Sequence, residues 1–461
     1  MTTATDSLAA LAHLTVTTRI GDLPEAVTGK ARHHLLDTLG AALAGADSTE
    51  TTAVLRMLTT TEPTAGPGTP VWGTGLALSP RGAALANGVS AHALELDDTG
   101  GCDHSGAVVV PAALAAVSAA PAPVSGADLL TAVVVGYDIA RRVLEACGGY
   151  WPHNEAGWHS TGTCGPFGAA AAAAAILRLD ADRTMHALAL AGSLSAGIWA
   201  FIHDGAMSKR LHAGRAAEAG VTAALLAAHG VTGPARIFDD VWGGFLSTFA
   251  PAGAEPAALT AGLGREWRIS RCSLKPYASC RSTHSSVDAV GAVLDRHGLG
   301  ADDVADIHVR LNRAVYDMCG GTDVTTLAAA QLSLAYAVAA RIAFGGAGLD
   351  TYDEEKRHSP RVRSVLERIV LEVDPAMDSD TEPVVTVVTR TGARHEQHVA
   401  DPLGSPTNPL DGPAVRAKFD GLAARALPPN RVRAVADTVQ RIESLADATA
   451  LMSLLGRQNR R

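Results

Sequence analysis

The chain has 461 residues, 47% of them hydrophobic but only 4% aromatic, with a formal net charge of −9. Its length suits two or three domains, and the acidic balance, with charges of both signs mixed along the chain, excludes a nucleic-acid surface. Alanine dominates the apolar residues and favours closely packed helices, while Pro, His or Arg interrupts every long apolar stretch, so no membrane span is expected.

The start, "MTTATDSLAALAHL", has neither the basic opening nor the long apolar core of a secretory signal. Cys102, Cys147, Cys164, Cys272, Cys280 and Cys319 show no CxxC or metal-finger spacing. Both features lead to the expectation of a soluble cytoplasmic protein. From about residue 7 to 260 the pattern reads as helix after helix. "SGADLLTAVVVGYDIARRVLEAC" opens with a cap at Ser125 facing Asp128. "GPFGAAAAAAAILRLD" predicts a helix of almost pure alanine whose neighbours must pack on bare backbone. "GRAAEAGVTAALLAAHGVTG" predicts another, ended by Gly230. Near residue 265 the texture changes: "REWRIS", "DIHVRL", "RIVLEVDP" and "EPVVTVVTRTGARHEQHV" predict strands, the last a hairpin turning at Thr391-Gly392. Helices are expected between them, over 284–297 and 327–344. After the Pro/Gly-rich "DPLGSPTNPLDGP" the chain returns to helix. The expected fold class is mainly α with an α+β lid: a helical domain made of 1–262 and 400–461, with 263–399 inserted as an α+β domain.

Four polar stretches interrupt this background. "ALELDDTGGCDHSGAVVVPAAL" sets Glu95, Asp97, Asp98, Thr99 and His104 between two apolar helices, with Pro111 expected in the first turns of the second. Such a loop either caps the helices or presents its side chains to a cleft. "GWHSTGTCGPFGA" places His159 before the alanine helix, with Ser160, Thr161 and Thr163 as candidate caps. "DGAMSKRLHAGRAAEAG" carries Lys209 and His212; lysine is scarce here, the others being Lys30, Lys275, Lys356 and Lys418. "SLKPYASCRSTHSSVDAV" clusters Lys275, Arg281 and His284 at a strand-to-helix junction, a pattern suited to clamping a carboxylate. Tyr316, after the strand "DIHVRL", is the weakest candidate and reads equally as core.

These stretches together, in this order and spanning nearly the whole chain, resemble the MmgE/PrpD family, which includes 2-methylcitrate dehydratase, cis-aconitate decarboxylase and iminodisuccinate epimerase. The resemblance implies a helical domain with an α+β lid, a homodimer, and no metal or organic cofactor. By motif it assigns Glu95, Asp97, Thr99 and His104 to the acidic loop, and His159 to the segment before the alanine helix. It assigns Lys209 and His212 to the "SKRLH" segment, and Lys275, Cys280, Arg281 and His284 to the lid. Tyr316 corresponds to a tyrosine after the lid strand. Glu95 stands where the decarboxylase carries aspartate, and Gly100 follows Thr99 where relatives often carry His or Trp. The loop to His104 is one residue shorter than in the mammalian decarboxylase, and Cys280-Arg281 replaces a histidine-containing segment. These departures turn the expectation towards dehydration.

Dehydration, decarboxylation and epimerisation of polycarboxylates all form or quench negative charge on a carbon beside a carboxylate. Cations placed where charge develops, and a histidine that moves the proton, are the general remedy. The expected activity is a cofactor-independent hydro-lyase acting on a small polycarboxylate, with decarboxylation or epimerisation as alternatives. His104, His159, Lys209, Asp97 and Tyr316 are the expected catalytic residues. Glu95, Thr99, His212, Lys275, Cys280, Arg281 and His284 are expected to bind substrate. His104 and His159 are expected to face each other across the substrate. Two further alternatives are a relative repurposed for a natural-product acid and a non-catalytic carboxylate-binding protein.

Overall fold

The computed structural model describes residues 4–62 and 68–456. Residues 1–3 and 457–461, at the outer ends of the expected helical domain, lie outside the described residues.

Most of the described chain is helical. Apolar residues between Leu8 and Leu274 join others between Val415 and Leu455 in one buried cluster, so both parts of the chain build one helical body. The alanine run makes its helix, Gly165–Ile176, a slender rod with Ala169–Ala174 fully buried. Neighbouring helices approach to backbone contact. A Cβ on Gly220 of the Ser208–Ala228 helix would lie 2.2 Å from Ala169 Cβ. Such close approach raises interior density without large side chains. Ser125 accepts from the Asp128 N–H at the start of the Gly126–Ala146 helix, as its cap predicts. The Ser208–Ala228 helix ends before Gly230, whose φ of 91° suits a left-handed stop.

A second buried cluster draws on residues between Ala278 and Val387. Its sheet has four strands in the order Ile369–Val373, Val304–Leu311, Val384–Thr389, Arg394–His398. The first pair is parallel and the other two are antiparallel. The hairpin turns at Gly392 (φ 85°), as expected. Val304, Ile307, Val309, Leu311, Val385 and Val387 are buried on the same cluster as the His284–His297 and Leu334–Phe344 helices. The edge strand, "RHEQH", is polar and charged, which discourages further strand pairing. Ala93, Leu94 and Leu96 belong to this second cluster although their chain neighbours belong to the first. The acidic loop is therefore wedged between the two cores.

Several local expectations give way. "REWRIS" is a 3-10 turn over Arg268–Arg271 and not a strand. The backbone N–H of Arg268 is drawn to Asp138 Oδ1 at 2.8 Å and its guanidinium to Glu145 at 2.9 Å, both on the Gly126–Ala146 helix. The helix expected over 327–344 is two helices, Leu327–Gln331 and Leu334–Phe344, because Ser333 caps the second by accepting from the Tyr336 N–H. Pro111 is the seventh residue of the Ser105–Val117 helix, at the end of its second turn. Ser160, Thr161 and Thr163 form a short helix of their own and make no cap. A two-stranded ribbon, Thr69–Pro70 with Ala77–Leu78, carries no alternation that the sequence could show. Among the described residues no helix is long and apolar enough to cross a membrane.

The Ser208–Ala228 helix, which brings Lys209 to the acidic loop, crosses the Pro80–His92 helix at a pair of glycines. A Cβ on Gly214 would meet the Leu85 carbonyl oxygen at 2.4 Å. Gly214→Ala should therefore destabilise the protein by about 1–3 kcal/mol through overpacking, read as a lowered urea midpoint; an unchanged midpoint would show that the crossing has slack.

Candidate active site

The acidic loop leaves the Pro80–His92 helix and reaches the Ser105–Val117 helix through three left-handed residues: Glu95 (φ 52°), Gly100 (φ 88°) and Asp103 (φ 87°). Two of them are not glycine, and such backbone strain clusters at functional sites. The loop is tied at both sides. The Thr99 N–H donates to the Ser273 carbonyl at 3.0 Å, and the Thr99 carbonyl accepts from the Ser273 N–H at 2.8 Å. Lys418, on the Gly412–Ala423 helix, donates to the Leu96 carbonyl at 2.6 Å and pairs with Asp37. Asp98 accepts from the Gly106 N–H at 2.8 Å and from the Tyr137 hydroxyl at 2.6 Å, and meets His34 Nδ1 at 2.8 Å. Asp98 thus performs the capping that the loop's composition suggested, while its neighbours turn to other work.

Glu95 is fully buried and gathers three cations. Its carboxylate pairs with Lys209, with Arg210 at 2.6 Å and with Lys275 at 3.0 Å. Burial alone would raise its pKa, but Lys209, Lys275 and Arg210 outweigh burial and hold it well below the usual carboxylate range. Arg210 also donates to Gln331 at 3.1 Å, and Gln331 donates to the Leu94 carbonyl at 2.7 Å. Lys209 and Lys275 are therefore not free clamps: a substrate carboxylate would share them with Glu95.

Beside this cluster stand the histidines. His104 Nδ1 is 3.0 Å from Asp97, and its Nε2 is 3.3 Å from Asp103 Oδ2. Burial opposes the charged imidazole, but Asp103 and Asp97 prevail and raise its pKa. His159 has the opposite environment. It is fully buried, its Nδ1 lies 2.9 Å from His212 Nδ1, and burial, with His212 and Lys209, holds its pKa well below the usual value. Its Nε2 makes no hydrogen bond and lies 3.9 Å from Asp103 Oδ2. The two rings are 6.2 Å apart between centroids. That is less than the about 7 Å that a carbon layer needs between two rings in van der Waals contact. They stand side by side, and the expectation that they face each other across the substrate fails on this spacing.

A cavity of about 440 Å³ opens onto this cluster. Glu95, Thr99, His104, Lys209, Lys275, Cys280 and Arg281 line it, joining residues expected from all four stretches except His159 and its neighbours. His159 and His212 sit behind the wall, and Asp97 reaches the cavity only through His104. Arg281 pairs with Glu382 at 2.8 Å, and a hydrogen bond from Cys319 holds the Cys280 thiol below its usual pKa. Two expected residues do not join the site. His284 is buried against Tyr277 and bonds to the Ser279 carbonyl at 3.3 Å, so it fixes the lid turn. Tyr316 is 37% exposed under Arg313, while Val315 takes the place on the cavity wall. The Arg313–Cys319 helix begins at Asn312, whose side chain caps the Val315 N–H, and this sets which face turns inward.

Sequence reading missed several residues. His92, whose Nδ1 is 3.0 Å from Asp97, has its pKa pushed down to about 3 by burial. Asp103 borders the cavity and both catalytic histidine candidates; its position before His104 was the available signal. Arg210 adjoins Lys209, yet both reach Glu95. Arg141, Arg271 and the segment 379–382 complete the mouth, where Trp151 donates to Asp380 at 2.8 Å. Among the described residues, His92, Asp97 and His104, and also Asp103, His104 and His159, bring potential metal-ligand atoms within 4.8 Å of one another. The two groups share His104.

Family models for the MmgE/PrpD N-terminal and C-terminal domains match residues 9–257 and 277–444. The chain belongs to the MmgE/PrpD family. It is 28% identical to a cis-aconitate decarboxylase-like protein, oryM, of Aspergillus oryzae, over 94% of each chain. It is 27% identical to a cis-aconitate decarboxylase of Aspergillus terreus, covering 94% of this chain and 92% of that one. The corresponding enzyme of Homo sapiens is 28% identical over 95% and 92%. The helical body and the α+β portion meet at the acidic loop, and three of the four motifs that carried the resemblance contribute to the cavity wall.

Removing the carboxylate that binds three cations leaves buried charge without compensation. Glu95→Gln should cost roughly 3 kcal/mol of stability, measured by urea unfolding at neutral pH. A loss below about 1 kcal/mol would mean that water already screens the cluster.

Proposed function

We propose that this MmgE/PrpD protein is a cofactor-independent hydro-lyase acting on a small polycarboxylate. The observation that carries this reading is the opposite tuning of two neighbouring histidines. Asp103 and Asp97 raise the affinity of His104 for a proton against the cost of its burial, whereas burial, with His212 and Lys209, lowers that of His159. Groups whose surroundings push their proton affinities apart supply an acid and a base at one pH. Elimination of water needs both. His104 protonates the departing hydroxyl, and the basic side of the site, with His159 as its imidazole, takes the proton from the carbon beside the carboxylate. Lys209 and Lys275, which border the cavity, meet the substrate carboxylates and stabilise the charge that develops on them. Arg141, Arg271 and Arg281 provide further positive charge along the wall. The same reading carries a cytoplasmic homodimer with no metal cofactor.

Decarboxylation is the second reading, favoured by the relatives named above, which share almost the full length of this chain. It needs an acid to protonate carbon but no base. Purified protein supplied with citrate, 2-methylcitrate and cis-aconitate separates the two: the first reading expects an unsaturated acid and no carbon dioxide, the second expects carbon dioxide. Turnover of none of these would remove both.

Two outcomes follow for the acid–base pair. His159→Ala should lower kcat about 10²–10⁴-fold with the fold intact, as judged by circular dichroism. The kcat/KM profile should be bell-shaped about the ordinary histidine value of 6.5. Its acid limb reports protonation of His159 below that value, and its alkaline limb reports loss of the His104 proton above it. A profile that rises monotonically from pH 5 to 9 would contradict the assignment.

A further inference from the structure

The cavity wall and the base of the proposed reaction do not coincide. His159 is fully buried and does not border the cavity, yet its Nε2 is unpartnered and directed at Asp103 Oδ2, 3.9 Å away. Asp103 does border the cavity. The same Oδ2 lies 3.3 Å from His104 Nε2, and the other oxygen accepts from the Thr99 hydroxyl at 2.8 Å. Asp103 therefore borders the cavity, and one of its carboxylate oxygens lies between the acid, at 3.3 Å, and the base, at 3.9 Å. The backbone holds it there in a left-handed conformation, φ 87°, uncommon outside glycine.

We propose that Asp103 is the proton-transfer residue of this site, linking His159 to the cavity and to His104. The proposal rests on the hydro-lyase reading above. In the forward step the carbon–hydrogen bond breaks, its electron pair forms the carbon–carbon double bond, and the proton passes to Asp103 Oδ2 and on to His159 Nε2. The carbon–oxygen bond breaks in the same elimination, and the hydroxyl leaves with the His104 proton as water. The proton on His159 then returns through Asp103 to His104. The balance is substrate to unsaturated acid plus water, and the enzyme is restored without exchange with solvent. Among the described residues no other carboxylate borders both rings: Asp97 meets His104 and His92, and Glu95 is occupied by Lys209, Arg210 and Lys275.

Asp103→Asn and Asp103→Gly test the proposal. Asparagine and glycine both accept positive φ, and asparagine keeps an acceptor for Thr99. Asp103→Asn should lower kcat at least 100-fold with little change in Tm. Asp103→Gly should be equally slow and should regain at least tenfold on addition of formate, a carboxylate small enough for the vacated space. A purely structural aspartate would show neither the loss in the asparagine variant nor the formate rescue. A substrate-free readout stands beside these. Imidazole nitrogen NMR should show the proton affinity of His104 falling at least tenfold in Asp103→Asn. The other groups facing His104 (Asp97, Lys275, His92 and His159) and those facing His159 (His212, Lys209, His104 and His92) are unchanged in that variant. If the wild type turns over a polycarboxylate but Asp103→Asn retains half its kcat, the relay is overturned and the lyase reading stands. If the wild type turns over none, the lyase reading fails. The NMR result then decides Asp103 alone, and an unmoved His104 titration overturns its link to that ring.

Discussion

The burial of the Glu95 carboxylate among Lys209, Arg210 and Lys275 is the interaction on which the rest of the site depends. A lone buried carboxylate would take up a proton and three lone buried cations would repel one another. Together they are tolerated only in an arrangement that brings a helix of the main body and the start of the α+β portion to one loop. The polar network continues through Arg210 to Gln331 and back to the Leu94 carbonyl, so both hydrophobic cores share it. The charges thus fix where the two parts of the molecule meet, which hydrophobic burial, being non-directional, does not do.

That arrangement also sets the proton chemistry. With Lys209 and Lys275 engaged by Glu95, the remaining carboxylates, Asp97 and Asp103, act on His104 and raise its affinity for a proton. His159, a few ångströms away, has neutral His212 against its Nδ1 and the aromatic rings of Trp199 and Phe201 around it, and remains uncharged. Two identical side chains acquire different proton affinities because one faces acids and the other faces rings and a second imidazole. Glu95, Cys280 and Arg281 all line the cavity beside them.

The helical body supplies rigidity cheaply in side-chain volume. Alanine and glycine let the Gly165–Ile176 and Ser208–Ala228 helices pack at backbone distance, so the residues at the start of the latter, Lys209 and Arg210, are held by the helix crossings as well as by their charges. Asp98 anchors the acidic loop to the Ser105–Val117 helix and to Tyr137 and His34. The catalytic candidates can then point into the cavity because their neighbour carries the capping load.

By itself the sequence determined what local chemistry encodes. Ser125 starts its helix and Gly230 follows the end of another. Gly392 turns the hairpin, and three of the four polar stretches supply about half of the cavity wall. Where local pattern and tertiary partners disagreed, the partners prevailed: Arg268 forgoes a strand for Asp138 and Glu145, and Ser333 divides a helix that periodicity ran together. Only the tertiary structure decided which polar residues converge. Lys209 lies 114 residues and Lys275 180 residues from Glu95, and periodicity carries no information over such separations. Tyr316 and Val315 are adjacent in sequence, and the orientation of one short helix gives the cavity to the valine. Asp103 looked like one more acid in an acidic loop; its carboxylate becomes distinctive only when folding brings His159, from beyond three intervening helices, to within 3.9 Å of it.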